Sequence, residues 1–129
     1  MTFTQIKETC LYFPDLRLAK EFYHGLLGMP ILSYEPDKHI FFRVGTSVLL
    51  CFNPSDSNQK ISPPAHSVEG KYHYALEVNS TNYENYKEAI IHNKISIIDT
   101  IVWKNGKESF YFNDPVGNVV EILPEGIWE

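Results

Sequence analysis

The same order of predicted elements occurs twice along the chain, and this repeat limits the folds available to it. "FTQIKETCLYF" alternates as a strand does, which places Glu8 and Tyr12 on one face and Leu11 on the other. The amphipathic helix "PDLRLAKEFYHGLLGMP" and the short strands "MPILSYE", "HIFFRVG" and "SVLLCF" follow it. After position 70, "KYHYALEV", the helix "STNYENYKEAIIHNK" and the strands "ISIIDTIVW", "KESFYFN" and "NVVEIL" repeat that order. The sequence therefore predicts an α+β protein built from two β-α-β-β-β modules, 1–52 and 71–129.

The two predicted helices begin in comparable positions. Asp15 is a favourable N-cap for the first helix, and Ser80 or Thr81 is a favourable N-cap for the second. Glu8 lies seven residues before Asp15, and His73 lies seven residues before Ser80. Because equivalent positions of a repeat approach each other about a pseudo-twofold axis, we expect Glu8 and His73 to share a site.

The segment between the modules, residues 53–70, has a different composition. It reads "NPSDSNQKISPPAHSVEG", which is rich in proline and serine and has no apolar periodicity. Ordered connections of this length are uncommon in compact domains. The segment is therefore either a connection between modules or a lid over a functional site.

Composition excludes several classes of function. The formal charge of −5 argues against a nucleic-acid partner or an anionic membrane partner. Hydrophobic residues at 43% and charged residues at 21% are typical of a globular domain, and no apolar run is long enough to cross a bilayer. The two cysteines do not form a disulfide framework, and the first residues do not resemble a secretory signal. We expect a cytoplasmic protein.

Three stretches together resemble the vicinal-oxygen-chelate superfamily, which contains glyoxalases, bleomycin-resistance proteins and extradiol dioxygenases. They are "ETCLYFPDLRLAKEFYHGLLGMP", "HYALEV" and "SFYFNDPVGNVVEI". The similarity is greatest to bacterial glyoxalase-like proteins whose reactions are uncharacterised. It implies one domain over 1–129, in which two βαβββ modules joined by the 53–70 loop form a half-open, antiparallel-rich β-barrel with helices outside. It also implies a small-molecule substrate and a homodimer.

The resemblance further implies one divalent metal ion, either Zn, Mn, Ni or Fe(II). Its ligands would be Glu8, His73 and Glu121, and the last strand of the first module would present either Cys51 or Leu50 to the site. Glu8 departs from the family pattern, because fosfomycin-resistance enzymes, extradiol dioxygenases and many glyoxalases have His there. Two carboxylates and one imidazole still suit such an ion. Each of the three side chains has an ordinary alternative, as a solvated or core residue.

Further candidates follow from strand parity and from unusual positions. Ser109 and Tyr111 share a strand face, and both resemble pocket hydroxyls of the superfamily, although Tyr111 is equally consistent with core packing. His66 on the 53–70 loop is either an acid–base group or simply exposed. The predicted catalytic residues are Glu121, Tyr111 and His66. The predicted pocket residues are Arg43, Cys51, Trp103, Ser109 and Tyr111, with Trp128 as a further candidate wall.

Three functions remain open at this point. The first is a metal-dependent lyase or isomerase of the glyoxalase type, in which the ion polarises a carbonyl or enolate. The second is an Fe(II) extradiol dioxygenase, which usually needs two His and one carboxylate where this chain offers one His. The third is a metal-free, ligand-sequestering protein of the bleomycin-resistance type.

Overall fold

The computed structural model describes every residue, Met1–Glu129, and the chain divides into two compact units, Met1–Gly70 and Lys71–Glu129. Each unit contains a four-stranded mixed sheet with helices, so the predicted α+β class and the two β-α-β-β-β modules are confirmed. The 53–70 segment belongs to the first unit. None of the helices has the length and apolar character needed to span a bilayer.

Unit 1 is a sheet of four strands in the order β1-β4-β3-β2. Its elements are β1 (Glu8–Tyr12), α1 (Leu16–Ala19), a π-helical segment (Lys20–Leu26), β2 (Ile31–Glu35), β3 (His39–Val44), β4 (Ser47–Phe52) and α2 (Pro54–Ser57). β1 runs parallel to β4, and the other neighbours are antiparallel. The short helix α2 lies where the sequence predicted no regular structure; proline at its first position and the Asn53 cap explain it.

The predicted first helix is present, but it changes its winding. Asp15 caps it as expected, accepting a hydrogen bond from the backbone N–H of Arg17 at 3.0 Å. From Lys20 the chain continues as a π-helix, and the backbone N–H of Leu27 donates to the carbonyl of Phe22, five residues earlier. The wider turn brings Phe22 and the fully buried Tyr23 into the core together, with their rings in an edge-to-face contact.

Unit 2 repeats this topology with the strand order β5-β8-β7-β6. Its elements are β5 (His73–Val78), a 3₁₀ turn (Ser80–Asn82), α3 (Tyr83–His92), β6 (Asp99–Val102), β7 (Glu108–Asn113) and β8 (Val119–Pro124). The cap is Asn79, and the expectation of Ser80 or Thr81 was wrong. The Asn79 side chain accepts hydrogen bonds from the backbone N–H of Thr81 at 3.0 Å and from its hydroxyl at 2.6 Å, so the turn begins one residue earlier.

Each sheet has one face against its own helix, and that face carries the core of the unit. In unit 1 the fully buried side chains on it include Leu11, Ile40, Phe42 and Cys51, and Tyr23 of the helix packs on Phe42. In unit 2 they include Phe110, Phe112 and Val120, and Tyr83 of α3 contacts Phe110. Burial of each such large apolar side chain contributes about 1.5–3 kcal/mol to folding.

The opposite face of each sheet carries most of the predicted site residues, and we call it the site face. In unit 1 it consists of Glu8, Cys10, Tyr12, His39, Phe41, Arg43, Val48, Leu50 and Phe52. In unit 2 it consists of His73, Ala75, Glu77, Ser109, Tyr111, Asn113, Val119, Glu121 and Leu123. The alternation predicted for the first strand, with Glu8 and Tyr12 opposite Leu11, is confirmed.

Candidate functional site

Glu121 is a buried carboxylate on an inner strand of unit 2. It lies on β8 between Ala75 of β5 and Tyr111 of β7, and only 5% of its surface is exposed. Its Oε1 atom has no hydrogen-bond partner. A buried carboxylate oxygen without a partner is costly, so the arrangement favours a cation or a donor group of a ligand at Oε1.

His73 begins β5 beside this carboxylate. Its Nδ1 atom lies 3.1 Å from the backbone carbonyl of Val119, which can only accept, so Nδ1 carries the proton of the neutral ring. Its Nε2 atom lies 3.4 Å from Oε2 of Glu121 and then presents a lone pair to the carboxylate. Nε2 of His73 and Oε2 of Glu121 are then both acceptors, so they attract each other only if a proton or a cation lies between them. A histidine that binds a metal through one ring nitrogen usually donates a hydrogen bond from the other to a carbonyl or carboxylate, as His73 does here.

Tyr111 lies next to Glu121 on the site face of unit 2. Burial raises the pKa of its phenol, and the Glu121 carboxylate raises it further, whereas the Ser109 hydroxyl acts in the opposite direction. The ring of Tyr111 lies 5.9 Å from that of His73. Because its pKa is raised, the phenol stays protonated at neutral pH and can donate a hydrogen bond either to the Glu121 carboxylate or to a bound oxygen.

Ser109 and Trp103 extend the same face toward the end of β6. Ser109 is fully buried, and its hydroxyl oxygen accepts a hydrogen bond from the indole Nε1–H of Trp103 at 3.0 Å. The ring of Trp103 lies 6.3 Å from that of Trp128, which is 80% exposed. The two predicted pocket residues Ser109 and Trp103 are therefore joined directly, with Trp128 beside them.

Glu8 is the first residue of β1 in unit 1 and is exposed. It shares the site face with Cys10, and the pKa of that thiol is raised by burial and by the negative charge of Glu8. Cys10 is therefore a neutral thiol at neutral pH and a poor thiolate ligand.

Strand register decides between Leu50 and Cys51. Cys10 pairs with Leu50, and Leu11 pairs with Cys51, so Leu50 is the β4 residue on the site face. Cys51 points to the helix side and is fully buried, which places this predicted pocket residue in the core of unit 1. Arg43 lies on the site face in the same row as Glu8, with Val48 between them, and its guanidinium lies 3.5 Å from the carbonyl of Ser47.

His66 lies over the site face of unit 1. Its Nδ1 atom is 2.7 Å from the hydroxyl of Tyr12, and its ring packs edge-on against Phe52 with 4.5 Å between centroids. Its backbone N–H donates to the carbonyl of Ser57. The 53–70 segment thus brings a histidine to this face. Tyr12 was not predicted as its partner, although strand parity already placed Tyr12 beside Glu8.

The predicted residues fall into two groups, one in each unit. Unit 2 brings together His73, Ser109, Tyr111, Glu121 and Trp103; the site face of unit 1 holds Glu8, Arg43, Leu50 and His66. Within neither unit do three His, Cys, Asp or Glu side chains lie close enough to share an ion. The His73–Glu121 pair supplies two of the three predicted ligands.

Comparison with known proteins decides the family. A sequence profile described as Glyoxalase/Bleomycin resistance protein/Dioxygenase superfamily matches residues 5–122. The chain belongs to this superfamily. Among curated proteins, none matches the chain.

Solved structures of the superfamily's fold are similar over nearly the whole chain. One is described as a lactoylglutathione lyase from Agrobacterium tumefaciens, with 29% identity, a TM-score of 0.92 and 98% of each chain covered. A glyoxalase/bleomycin resistance protein/dioxygenase from Nocardioides has 22% identity and a TM-score of 0.75, covering 98% of this chain and 87% of its own. A glyoxalase-related enzyme from Fulvimarina pelagi has 20% identity and a TM-score of 0.73, covering 95% and 89%. The last two matches show the fold alone.

Proposed function

We propose that the protein is a metal-dependent enzyme of the glyoxalase type, a lyase or isomerase that acts on a small molecule with two adjacent oxygens. The observation that carries this proposal is the 3.4 Å approach of His73 Nε2 to the buried Glu121 carboxylate, with Nδ1 engaged by a carbonyl. We also propose a homodimer as the working assembly and the cytoplasm as its location.

The proposed metal ligands are His73, Glu121 and Glu8. The unpartnered Oε1 of Glu121 and the Nε2 atom of His73, which lies 3.4 Å from Glu121 Oε2, fit a divalent cation. Glu8 is included for two reasons. The family resemblance implies it as a ligand, and its position at the start of β1 corresponds to the position of His73 at the start of β5. Zn, Mn, Ni and Fe(II) all suit one imidazole and two carboxylates.

A divalent ion bound there would act as a Lewis acid on a carbonyl or enolate oxygen of the substrate. Glu121 takes a proton from the hydroxyl-bearing carbon and returns it to the neighbouring carbonyl carbon, while the hydroxyl proton passes to the former carbonyl oxygen, so the isomerisation is balanced without a co-reactant. The Tyr111 phenol, kept protonated by its surroundings, donates a hydrogen bond to the second substrate oxygen. His66, whose Nδ1 is bonded to Tyr12, is proposed as a further acid–base group.

The first substrate class to test is an adduct of a 2-oxoaldehyde with a thiol. Such an adduct has adjacent oxygens and a proton that must move between neighbouring carbons. The similarity to the structure described as a lactoylglutathione lyase supports this choice.

Aromatic side chains on the site face of unit 1 favour one second candidate, a metal-free protein that sequesters a ligand. Phe41 and Phe52 pack with their ring centroids 5.3 Å apart, and His39 stacks on Phe41 at 4.1 Å. Aromatic rings supply much contact area at a low entropic cost, which suits a pocket for an apolar ligand. Metal content separates this candidate from the enzyme.

The deciding experiment measures bound metal in protein purified without chelator and then loaded with each of the four ions. We expect about one ion per chain in the wild type and strong loss of binding in His73→Ala and Glu121→Gln. Glu77→Ala is the matched control, because Glu77 is an exposed carboxylate on the same face of β5. Glu8→Ala tests the third ligand. The proposal would be overturned, in favour of the metal-free, ligand-sequestering protein, if the wild type takes up none of the ions. It would also be overturned if His73→Ala and Glu121→Gln take up as much metal as the wild type.

A further inference from the structure

The chain has two tryptophans, and both lie at one place in unit 2. Trp103 follows β6, and Trp128 lies beyond β8, yet their rings are 6.3 Å apart at an angle of 48°. Trp103 is half-buried, whereas Trp128 is 80% exposed. A large aromatic ring exposed to this extent beside a second one leaves considerable apolar surface in contact with water.

Hydrogen bonds hold the Trp103 ring and the backbone that leads to Trp128. The Nε1–H of Trp103 donates to the buried Ser109 hydroxyl, which fixes the edge of that indole to β7. The segment that carries Trp128 is bound to the β6–β7 turn. The Asn105 side chain donates to the carbonyl of Gly126 at 2.8 Å, and Lys107 donates to the carbonyl of Glu125. The backbone two and three residues before Trp128 is therefore tied to the β6–β7 turn, close to Trp103.

This aromatic pair adjoins the residues proposed to hold the substrate oxygens. Ser109 and Tyr111 point to the same face of β7, two residues apart, a spacing of roughly 7 Å along a strand. Tyr111 neighbours Glu121 across the β7–β8 pairing. A ligand with one oxygen at an ion held by the His73–Glu121 pair and the other oxygen at Tyr111 would direct a substituent along β7 toward Ser109 and the indole of Trp103.

We propose that Trp103 and Trp128 form a subsite for an aryl group, so that the substrate is a vicinal-oxygen compound carrying a planar aromatic ring. The assignment rests on the proposed function, because the oxygens of that substrate are placed at the His73–Glu121 pair. The two indoles contact each other at an angle of 48°, so together they present both an edge and a face to an aromatic ring that lies against the pair, which is the geometry that aromatic pairs prefer. An aliphatic substituent of similar size buries a similar area but lacks this edge-and-face interaction.

Binding of paired probes tests the subsite. Mandelate and lactate are 2-hydroxy acids that share the vicinal oxygens and differ by a phenyl ring; hexahydromandelate replaces that ring by a saturated one. Each is titrated by calorimetry and by tryptophan emission, with and without zinc. We expect mandelate to bind roughly tenfold more tightly than lactate and more tightly than hexahydromandelate, with a blue shift of the emission.

Three variants test whether the two indole rings cause the preference for mandelate over lactate. Trp128→Ala, at an exposed position, is expected to reduce the preference for mandelate to within about twofold while leaving lactate binding unchanged. Trp103→Phe keeps a ring but loses the bond to Ser109, and is expected to give an intermediate preference. Tyr86→Ala, which removes an exposed aromatic ring from α3, is the control and should not alter it.

The outcomes separate this inference from the proposed function. Zinc-dependent binding of lactate and mandelate with equal affinity would overturn the aryl subsite and leave the enzyme proposal standing. A mandelate-induced emission shift that needs no zinc and is lost in Trp128→Ala would support the subsite even if no ion binds. Absence of any emission shift with mandelate would overturn it. An emission maximum that moves to the red on dilution of the ligand-free protein would instead assign Trp128 to an interface between copies of the chain.

Discussion

The Nδ1 atom of His66 lies 2.7 Å from the hydroxyl oxygen of Tyr12, and this hydrogen bond ties the 53–70 segment to β1. Tyr12→Phe removes the bond and keeps the ring that packs on Phe52. A partly buried hydrogen bond contributes about 1 kcal/mol, so we expect backbone amides of residues 62–70 to exchange roughly fivefold faster in deuterium. Tyr34→Phe, which removes a hydroxyl elsewhere in unit 1, is the control, and unchanged exchange in Tyr12→Phe would contradict the role given to this bond.

Glu108 gives unit 2 a pH-dependent contribution to stability. The hydrogen bond from Lys87 lowers the pKa of the Glu108 carboxyl, burial opposes this, and the hydroxyl of Tyr83 acts with Lys87. The folded pKa lies below the unfolded one, so the stabilisation is present above the unfolded pKa and is lost as pH falls through the folded value.

Glu108→Gln should therefore lower the free energy of unfolding near pH 7 and have little effect near pH 3. The Glu108 side chain is 32% exposed, and solvent screening limits the loss to below about 1 kcal/mol. Urea unfolding at both pH values measures it, with Glu88→Gln on the exposed side of α3 as the control. An equal effect at both pH values would show that the carboxyl contributes through packing alone.

Asp114 organises the turn between β7 and β8. Its Oδ1 accepts hydrogen bonds from the backbone N–H of Val116 at 3.1 Å and of Asn118 at 2.8 Å, and its Oδ2 accepts from the Asn118 side chain at 2.8 Å. Asn118 in turn accepts from the backbone N–H of Tyr72. We expect Asp114→Ala to lower the free energy of unfolding by about 3 kcal/mol, because it leaves several buried donors without acceptors.

Urea unfolding of both Asp114→Ala and Asp114→Asn checks this prediction. The amide of Asn retains one acceptor oxygen, so its loss of stability should be smaller than that of Ala. Equal losses in the two variants would mean that the cavity, and not the hydrogen bonds, determines the effect.

The two cysteines should differ in reactivity because they lie on opposite faces of the sheet of unit 1. Cys10 is half-buried on the site face, and Cys51 is fully buried on the helix side. In native protein at mildly alkaline pH, where part of the Cys10 thiol ionises in spite of its raised pKa, we expect iodoacetamide to modify Cys10 and to leave Cys51 unmodified until the protein unfolds. Peptide mass spectrometry distinguishes the sites, and Cys10→Ala should abolish native labelling. Labelling of Cys51 at the rate of Cys10 would contradict the observed strand register.

Much of the fold was predictable because local patterns agree with it. The alternation around Leu11 and the Asp15 cap predicted β1 and the start of the first helix, and both are confirmed. The second cap was misassigned because Asn79, Ser80 and Thr81 are all good caps, and only the geometry of the Asn79 side chain decides among them. The apolar run from residue 95 suggested a longer β6 than Asp99–Val102, since short apolar runs do not show where pairing begins.

The site was predictable only in part. Strand alternation placed Ser109 and Tyr111 on one face of the same strand. It did not show whether Leu50 or Cys51 faces the site, because that depends on how the strand pairs with its neighbours, which the sequence of one strand does not contain. The bond between Trp103 and Ser109 depends on how the β6–β7 turn folds, and the bond between His66 and Tyr12 depends on the path of the 53–70 segment. No sequence pattern near these residues indicates either contact.

The strand orders β1-β4-β3-β2 and β5-β8-β7-β6 have a consequence for synthesis on the ribosome. In each unit the strand made last is inserted between the strand made first and a hairpin made earlier. Until β4 or β8 emerges, the edges of β1 and β3, or of β5 and β7, have no neighbour and expose unpaired backbone groups. Nascent chains that end just before either strand should therefore be the forms most dependent on chaperones and most prone to aggregate, and each unit should fold abruptly once that strand emerges.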